Sequence, residues 1–151
     1  MAKTEKAIFT NMCMISDGAG NILVEERVKN DWRGIAFPGG HVEKGEAFSD
    51  SVVREVREET GLTVESPRLC GVKQFHTDEG ERYVVFLYKA DKFSGELRSS
   101  SEGRVFWIKR RELEKYDLAA DFADLVRVFE EDELSEFFCY EEDGKYAKKL
   151  M

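Results

Sequence analysis

Cysteine is scarce in this sequence, and the three cysteines form no pattern. Cys13, Cys70 and Cys139 are odd in number and widely spaced. A disulfide-stapled domain needs paired cysteines, and a structural zinc site needs ligands a few residues apart. We therefore expect neither a disulfide framework nor a zinc site, and we interpret all three side chains as reduced thiols.

Long apolar runs are also missing. No stretch approaches the roughly 20 apolar residues that span a bilayer. Near the N-terminus, Glu5 and Lys6 occupy positions where a secretory signal would have an apolar core. These absences predict a cytoplasmic protein that is neither exported nor embedded in a membrane.

Positive charge is in deficit. The chain has 23 Lys and Arg against 31 Asp and Glu, which gives a formal net charge of −8. Such a surface repels nucleic acid polymers and anionic membranes, so we expect neither as a partner. A small phosphorylated ligand remains compatible if a divalent metal ion supplies positive charge locally.

Turn-forming residues divide the first part of the chain. Apolar runs are interrupted at Asp17-Gly18-Ala19-Gly20-Asn21 and at Pro38-Gly39-Gly40. No glycine or proline then intervenes until Gly61, a typical helix stop. These signals predict a hairpin or strand-loop-strand over Lys6–Ser16 and Ile22–Val28, a short strand at Ile35–Phe37, and a helix over Ala47–Thr60.

The second part of the chain continues the mixture of strands and helices. Arg82–Ala90 has apolar side chains at alternate positions on both faces, which is typical of a strand inside a covered sheet. Asp143-Gly144 is a type I′ turn signal. We predict strands at Arg68–Phe75 and Val105–Ile108, a helical turn at Arg110–Lys115, an amphipathic helix over Ala119–Glu131, and a C-terminal hairpin over 137–150.

Strands and helices in this order predict an α/β fold, a three-layer α/β/α sandwich with a mixed β-sheet. The length of 151 residues suits one core and is short for two, so one domain is expected over 1–151. The exposed edge of the C-terminal hairpin predicts a homodimer formed through it.

Three glutamates of the predicted helix lie on one stripe. Glu55, Glu58 and Glu59 are spaced i, i+3, i+4, so their like charges repel. A short glutamate run alone is usually a solvated helix face. A hard divalent cation would offset this crowding, and Mg²⁺, or Mn²⁺ in its place, is bound by a few carboxylates together with water and phosphate oxygens.

The segment 40–62, GHVEKGEAFSDSVVREVREETGL, resembles the signature of the Nudix hydrolase family. The signature is a glycine, five residues, a glutamate, seven residues, and then Arg-Glu, an aliphatic residue, any residue, Glu-Glu, any residue, glycine and an aliphatic residue. Every fixed position is matched: Gly40, Glu46, Arg54, Glu55, Val56, Glu58, Glu59, Gly61 and Leu62. The resemblance implies a Nudix fold and metal-dependent hydrolysis of a phosphoanhydride bond.

The resemblance also implies a metal site. Glu55, Glu58 and Glu59 would be metal ligands, and one of them would also deprotonate water. The carbonyl oxygen of Gly40 would be a further ligand. Which glutamate acts as the base is left open.

Other catalytic roles follow from the same resemblance. Arg54 would orient the carboxylates, and Glu46 would hold the segment 40–62 together or reach a metal-bound water. Glu102, before the predicted strand at Val105–Ile108, resembles a later glutamate that serves in several members as an additional ligand or general base.

Three residues are candidates for binding substrate. Arg27 and Lys29 follow the second strand and would contact phosphate. Asp121 matches the position where related enzymes of the branch that removes oxidised nucleotides often have a base-recognising polar residue, although an acid at a helix N-terminus, which the helix dipole favours, is the simpler explanation. His41 and His76 have no partner pattern and are interpreted as incidental.

Three functions remain open. The first is a nucleoside triphosphate pyrophosphohydrolase similar to the branch that removes oxidised dGTP, which releases a monophosphate and pyrophosphate. The second is a hydrolase of ADP-ribose or a nucleotide sugar, a branch that often has a proline some fifteen residues beyond the signature, where this chain has His76-Thr77. The third is a non-catalytic nucleotide sensor, which typically lacks some of the glutamates that are all present here.

Overall fold

Strands hold more residues than helices in the computed structural model, which describes residues 2–29 and 31–151. Two α-helices and one 3₁₀-helix complete the described part of the chain. In chain order the elements are β1 (Ala7–Ile15), β2 (Asn21–Arg27), β3 (Gly34–Ala36), α1 (Phe48–Thr60), β4 (Leu62–Val64), β5 (Arg68–His76), β6 (Arg82–Ala90), β7 (Phe93–Gly95), β8 (Gly103–Lys109), the 3₁₀-helix (Arg110–Lys115), α2 (Phe122–Glu130), β9 (Glu136–Glu142) and β10 (Lys145–Leu150).

The largest sheet is mixed, as predicted. Its strand order is β1-β6-β5-β9-β10. The pairs β1-β6 and β5-β9 are parallel, whereas β5-β6 and β9-β10 are antiparallel. Strand β6 lies between two neighbours, which explains why it is apolar on both faces.

A second sheet has the order β3-β2-β8, and β4 pairs with β7 in a third. The segment 38–42 connects the first two sheets because it runs along β1. The Asn11 amide donates to the Gly40 carbonyl at 2.8 Å, and the Val42 amide donates to the Phe9 carbonyl at 2.9 Å. The loop that follows β3 is therefore fixed by β1 before the chain enters α1.

Side chains of alternate residues in β1 enter two different cores, which defines the three layers. Met12 and Met14 pack with the apolar face of α2. Cys13 and Ile15 pack with Val52 and other residues of α1 on the opposite face. The predicted three-layer α/β/α sandwich is confirmed.

The hairpin interpretation of the first two strands is wrong, and strand-loop-strand is correct. β1 and β2 belong to different sheets and share only an isolated bridge between Ser16 and Ile22. In the loop, the Asp17 carboxylate accepts hydrogen bonds from the amides of Ala19 and Asn21 at 2.7 and 3.1 Å. β2 has its partners elsewhere, in β3 and β8.

Both predicted helices are present, with shifted starts. Ala47 is the N-cap of α1 rather than its first residue, and Gly61 ends the helix with a left-handed φ of 80°. Helix α2 begins at Phe122 instead of Ala119, because Asp121 has a left-handed φ of 63° that interrupts helical geometry. The strands β4 and β7 were not predicted, since three residues each show no periodicity.

The C-terminal hairpin forms around the predicted turn. Asp143 and Gly144 both have positive φ, 54° and 75°, as a type I′ turn requires. β10 is the outer strand of the largest sheet and carries Lys145, Lys148 and Lys149. Lysines on an edge strand disfavour pairing with another chain, so dimerisation through this edge stays a prediction.

Two further expectations concern cysteines and membranes. All three cysteines are free, and Cys13 and Cys139 are buried. Within the described residues, neither α-helix has the length and apolar character of a membrane span.

The α2 core provides a stability test. Phe129 is 1% exposed, and its ring lies edge-on to Phe37 with centroids 5.2 Å apart. We expect Phe129→Ala to lower the free energy of unfolding by about 3–5 kcal/mol, because it leaves a cavity. Urea denaturation measures this. Leu69→Ala, at a side chain that is 57% exposed, is the control and should change it by less than about 0.5 kcal/mol.

Candidate active site

A cavity of about 720 Å³ lies between β1, the loop Gly39–His41 that precedes α1, and strands β5 and β6 of the largest sheet. One part of its wall is acidic and belongs to α1 and the turn before β8. Another part is aromatic and cationic and belongs to β5, β6 and the residues after β2. Its lining comprises Thr10, Asn11, Met12, Arg27, Lys29, Asp31, Trp32, Phe37, Gly39, Gly40, His41, Glu55, Glu59, Lys73, Phe75, Thr77, Tyr83, Val85, Glu102 and Leu125.

Arg54 organises the acidic part through its guanidinium group. Nε and Nη2 donate to the two carboxylate oxygens of Glu46 at 2.7 and 2.9 Å, a bidentate pair. Nη1 donates to Glu55 at 2.9 Å and to Glu58 at 3.2 Å, and Nη2 also donates to the His41 carbonyl at 2.9 Å. The hydrogen bonds from Arg54 lower the pKa of Glu46 to about 2. The guanidinium therefore ties the loop to the helix and orients two glutamates.

The three glutamates of the stripe have different environments. Glu55 and Glu59 line the cavity. Glu58 does not line it, and its side chain is 56% exposed and paired with Arg54. The i, i+4 pair Glu55 and Glu59 therefore faces inward, because α1 packs its valines on the adjacent stripe.

Gly40 leaves room for the Glu55 carboxylate. A Cβ atom at position 40 would lie 2.3 Å from the carboxyl carbon of Glu55. Burial raises the pKa of Glu55, although Arg54 opposes this shift. The Gly40 carbonyl accepts from Asn11 and retains a second lone pair.

Glu59 is almost fully buried, at 5% exposure. One carboxylate oxygen accepts a hydrogen bond from the Gly39 amide at 3.0 Å. Burial, followed by the negative charge of Glu25, raises the pKa of Glu59 to about 9. Without a cation, Glu59 therefore retains a proton at neutral pH.

Sequence reasoning missed Glu25. Its side chain is 0% exposed, and neither carboxylate oxygen has a hydrogen-bond donor among the described residues. The nearest cation is Arg27, with Nη1 3.9 Å from Oε2. The only signal in the sequence is alternation along β2, which places Glu25 on the same face as the buried Leu23.

The donor set fits a divalent cation. Glu25, Glu55, Glu59 and Glu102 offer hard oxygen atoms to one region. Burial raises the pKa values of Glu25, Glu55 and Glu59, so it disfavours their charged forms until a cation balances them. Within residues 2–29 and 31–151, no three acidic, His or Cys side chains already form a converged metal cluster. An incomplete protein cage is typical of Mg²⁺, which keeps water and takes phosphate oxygens as ligands.

The predicted substrate residues divide into two groups. Arg27, Lys29 and Glu102 line the cavity, and Lys29 Nζ lies 2.7 Å from Glu102 Oε1. Asp121 does not line it, because its carboxylate instead accepts hydrogen bonds from Tyr146 and Lys148 on β10. The geometry therefore gives no support to base recognition by Asp121.

The aromatic part of the cavity was also missed. Trp32, Phe75 and Tyr83 line it, and the rings of Phe75 and Tyr83 stack with centroids 4.9 Å apart. Lys73 Nζ lies 5.2 Å from the Trp32 ring centroid, and burial lowers the pKa of this lysine. The strand pattern of β5 gave no indication that Lys73 would point into a cavity.

Comparisons with known proteins define the family. The model of the NUDIX domain matches residues 9–129. The uncharacterised Nudix hydrolase YvcI of Bacillus subtilis is 32% identical over 115 residues, which cover 73% of this chain and 70% of that protein. This chain belongs to the Nudix family, and its sequence-based assignment as a Nudix pyrophosphohydrolase is confirmed.

Two further similarities are informative. The ADP-ribose pyrophosphatase of Methanocaldococcus jannaschii is 35% identical over 85 residues, which cover 55% of this chain and 50% of that protein. The crystal structure of a MutT protein from Bacillus halodurans superimposes with a TM-score of 0.77 at 29% identity, covering 95% of this chain and 97% of the other. The matches support a nucleotide-directed hydrolase that uses divalent metal ions.

The raised pKa of Glu59 predicts a pH dependence of stability in EDTA. The folded state holds a proton with a pKa of about 9, whereas the unfolded chain releases it near the ordinary value of 4.5. The contribution of Glu59 to the free energy of unfolding should therefore be complete below pH 4.5 and fall progressively as pH rises toward 9.

Glu59→Gln removes the titrating group and is the matched variant for this prediction. Urea unfolding in EDTA between about pH 5 and 9 should show a smaller decline in the free energy of unfolding for the variant than for the wild type. Equal slopes for the two proteins would show that Glu59 is not protonated in the folded state.

Proposed function

We propose that this protein hydrolyses a phosphoanhydride bond of a nucleoside triphosphate, with Mg²⁺ as cofactor, releasing a monophosphate and pyrophosphate. Oxidised dGTP is the leading candidate substrate. The observation that carries this proposal is a single cavity with buried carboxylates on one wall and a cationic, aromatic surface on another.

The carboxylate wall would hold the metal ions. Glu55, Glu59 and the Gly40 carbonyl are the proposed ligands, with Glu58 completing the set on the exposed side of α1. Bound Mg²⁺ would neutralise phosphate charge and lower the pKa of water. Mn²⁺ would substitute because it also accepts oxygen ligands.

The chain's own side chains would position the reacting groups. Arg54 holds Glu55 and Glu58 in place, and Glu46 anchors Arg54 by the bidentate pair. Glu102 lies at the cavity wall, where it would accept a proton from water as a general base. Lys29 Nζ donates to Glu102 Oε1 at 2.7 Å and so holds that carboxylate at the wall.

Arg27 and Lys29 would bind the phosphates. Arg27 Cζ lies 5.6 Å from the Trp32 ring centroid, and its Nε donates to the Trp32 carbonyl at 3.1 Å. The guanidinium is thus fixed between the acidic wall and the aromatic wall. A triphosphate that extends from base to metal must pass this point.

The aromatic wall would receive the base. Trp32 and the stacked pair Phe75 and Tyr83 offer flat apolar surfaces, and the volume of about 720 Å³ suits a nucleotide. The Lys73 ammonium has donors but no acceptor, so it would recognise a carbonyl oxygen or ring nitrogen of the base. Asp121 has no part in this proposal, because Tyr146 and Lys148 occupy its carboxylate.

A triphosphate is favoured over ADP-ribose by two observations. The structural likeness to the MutT protein, at 29% identity, extends over nearly the whole chain. The proline frequent in ADP-ribose hydrolases is replaced by His76-Thr77. A non-catalytic sensor is disfavoured because every fixed position of the signature is present.

The decisive assay is product release from a panel of nucleoside triphosphates, oxidised dGTP, ADP-ribose and dinucleoside polyphosphates, with Mg²⁺ and with EDTA. We expect EDTA-sensitive release of pyrophosphate from triphosphates, with the highest kcat/KM for oxidised dGTP. Glu59→Gln should lower kcat by about 100-fold or more, because it removes a charged metal ligand.

Glu65→Gln is the control, since Glu65 is exposed and follows the short strand β4. It should leave kcat unchanged. Preferred cleavage of ADP-ribose would replace the proposed substrate, and metal-independent turnover would contradict the mechanism.

Lys73→Met tests base recognition. Methionine keeps the length of the side chain and removes its donors, so we expect kcat/KM to fall by roughly 10–100-fold, mainly through KM. Metal affinity should not change. Lys92→Met, at an exposed lysine, is the control. Steady-state kinetics measure both variants, and an unchanged KM for Lys73→Met would refute the assigned role.

A further inference from the structure

We propose that Glu25, outside the signature segment 40–62, is a further carboxylate ligand of the divalent-cation site. It lies on β2, whereas the proposed ligands Glu55 and Glu59 lie on α1. Glu25 can act in this way only if the proposed metal-dependent hydrolysis is correct. Metal binding by Glu25 variants and by the wild type distinguishes failure of this role from failure of the proposed function.

The first observation is that the Glu25 carboxylate is buried and that its polar neighbour is another carboxylate, Glu59. The side chain has 0% exposure, and no N–H group or hydroxyl of the described residues donates to either oxygen. Buried carboxylates in folded proteins are normally paired, hydrogen-bonded or bound to metal. Without a metal ion, a proton shared with Glu59 is the hydrogen bond available to Glu25.

The second observation is that burial and the neighbouring carboxylates disfavour a negative charge on Glu25 when no cation is present. The carboxylates of Glu59, Glu102 and Glu55 all act on it electrostatically. Arg27 Nη1, at 3.9 Å, is beyond hydrogen-bond distance, and the Nε of the same side chain already donates to the Trp32 carbonyl. Repulsion among these oxygens is relieved when a cation is shared between them.

Packing holds the Glu25 side chain in this position. β8 runs antiparallel to β2, with Glu25 opposite Val105 and Arg27 opposite Gly103. A Cβ atom at Gly103 would lie 2.2 Å from the Glu26 carbonyl oxygen and 3.4 Å from Glu25 Cγ. The glycine allows β8 to approach closely, so Glu25 cannot turn away to solvent.

The neighbouring Glu26 shows the contrast. It points to the opposite side of β2, its side chain is 49% exposed, and it pairs with Arg104 at 3.6 Å. The two adjacent glutamates therefore differ in burial and in partners. Glu26 has the ordinary role of a surface carboxylate, and only Glu25 is positioned to bind a cation.

The test compares Glu25→Gln with Glu26→Gln in the full chain. Calorimetric titration with Mn²⁺ or Mg²⁺ alone, without nucleotide, gives metal affinity. Thermal unfolding in EDTA and in excess Mg²⁺ gives the stabilisation that metal provides. Neither measurement depends on activity.

For Glu25→Gln we expect opposite effects in the two conditions. In EDTA it should unfold at the same or a higher temperature than the wild type, because a neutral amide that can donate to Glu59 replaces a buried carboxylate. Its metal affinity should fall by about 10-fold or more, and the increase in Tm with Mg²⁺ should shrink. Glu26→Gln should match the wild type in both. Glu25→Met should show the same pattern and serves if the glutamine variant does not fold.

Other outcomes overturn the proposal. Unchanged metal affinity in both Glu25 variants, or a lower Tm in EDTA with a wild-type increase in Mg²⁺, would assign Glu25 a structural role and leave the proposed function standing. No metal-induced change in the wild type would overturn the metal-dependent function and, with it, the role of Glu25.

Discussion

The organisation of this protein depends on the repulsion between carboxylates held in one low-dielectric region. Glu59 and Glu25 are both almost inaccessible to solvent, and Glu55 lies beside them. Burial of like charges is unfavourable unless protons or cations compensate them. Arg54 compensates the outer part of the cluster, and the inner part is left to protons or to metal. A divalent ion at the proposed site would relieve this repulsion.

A few backbone contacts fix the positions of the groups around these carboxylates. The loop before α1 runs along β1, so the carbonyl of Gly40 and the amide of Gly39 have fixed positions. Gly39 can lie there only because it has no side chain, since a Cβ atom would be 2.0 Å from the Asn11 carbonyl oxygen. α1 then enters with Glu55 and Glu59 facing inward. Rigid backbone elements, not flexible loops, determine where the negative charge accumulates.

The sequence was sufficient to predict the parts of this arrangement that are local. The signature from Gly40 to Leu62, the helix, and the type I′ turn at Asp143-Gly144 all depend on residues close in the chain. The layer architecture followed from periodicity. Residues brought together by sheet pairing were not predictable. β1 and β2 belong to different sheets. Glu25 and Glu59 are neighbours in space although they are 34 positions apart in the sequence. Lys73 and Trp32 were missed for the same reason, because no short-range pattern distinguishes a cavity residue on a strand from a surface one.

The C-terminal hairpin lies beyond the residues 9–129 that match the family, yet it is hydrogen-bonded to the start of α2, a helix that contributes to the cavity wall. Tyr146 and Lys148 hold Asp121 at the start of α2, and Leu125 of that helix lines the cavity. The ring centroid of Phe137 in the hairpin lies 5.8 Å from Lys73 Nζ. In the proposed function, part of the wall that would receive the base is thus supported from outside the signature segment. Substitutions in the hairpin could alter that wall while the helix that carries Glu55 and Glu59 stays unchanged.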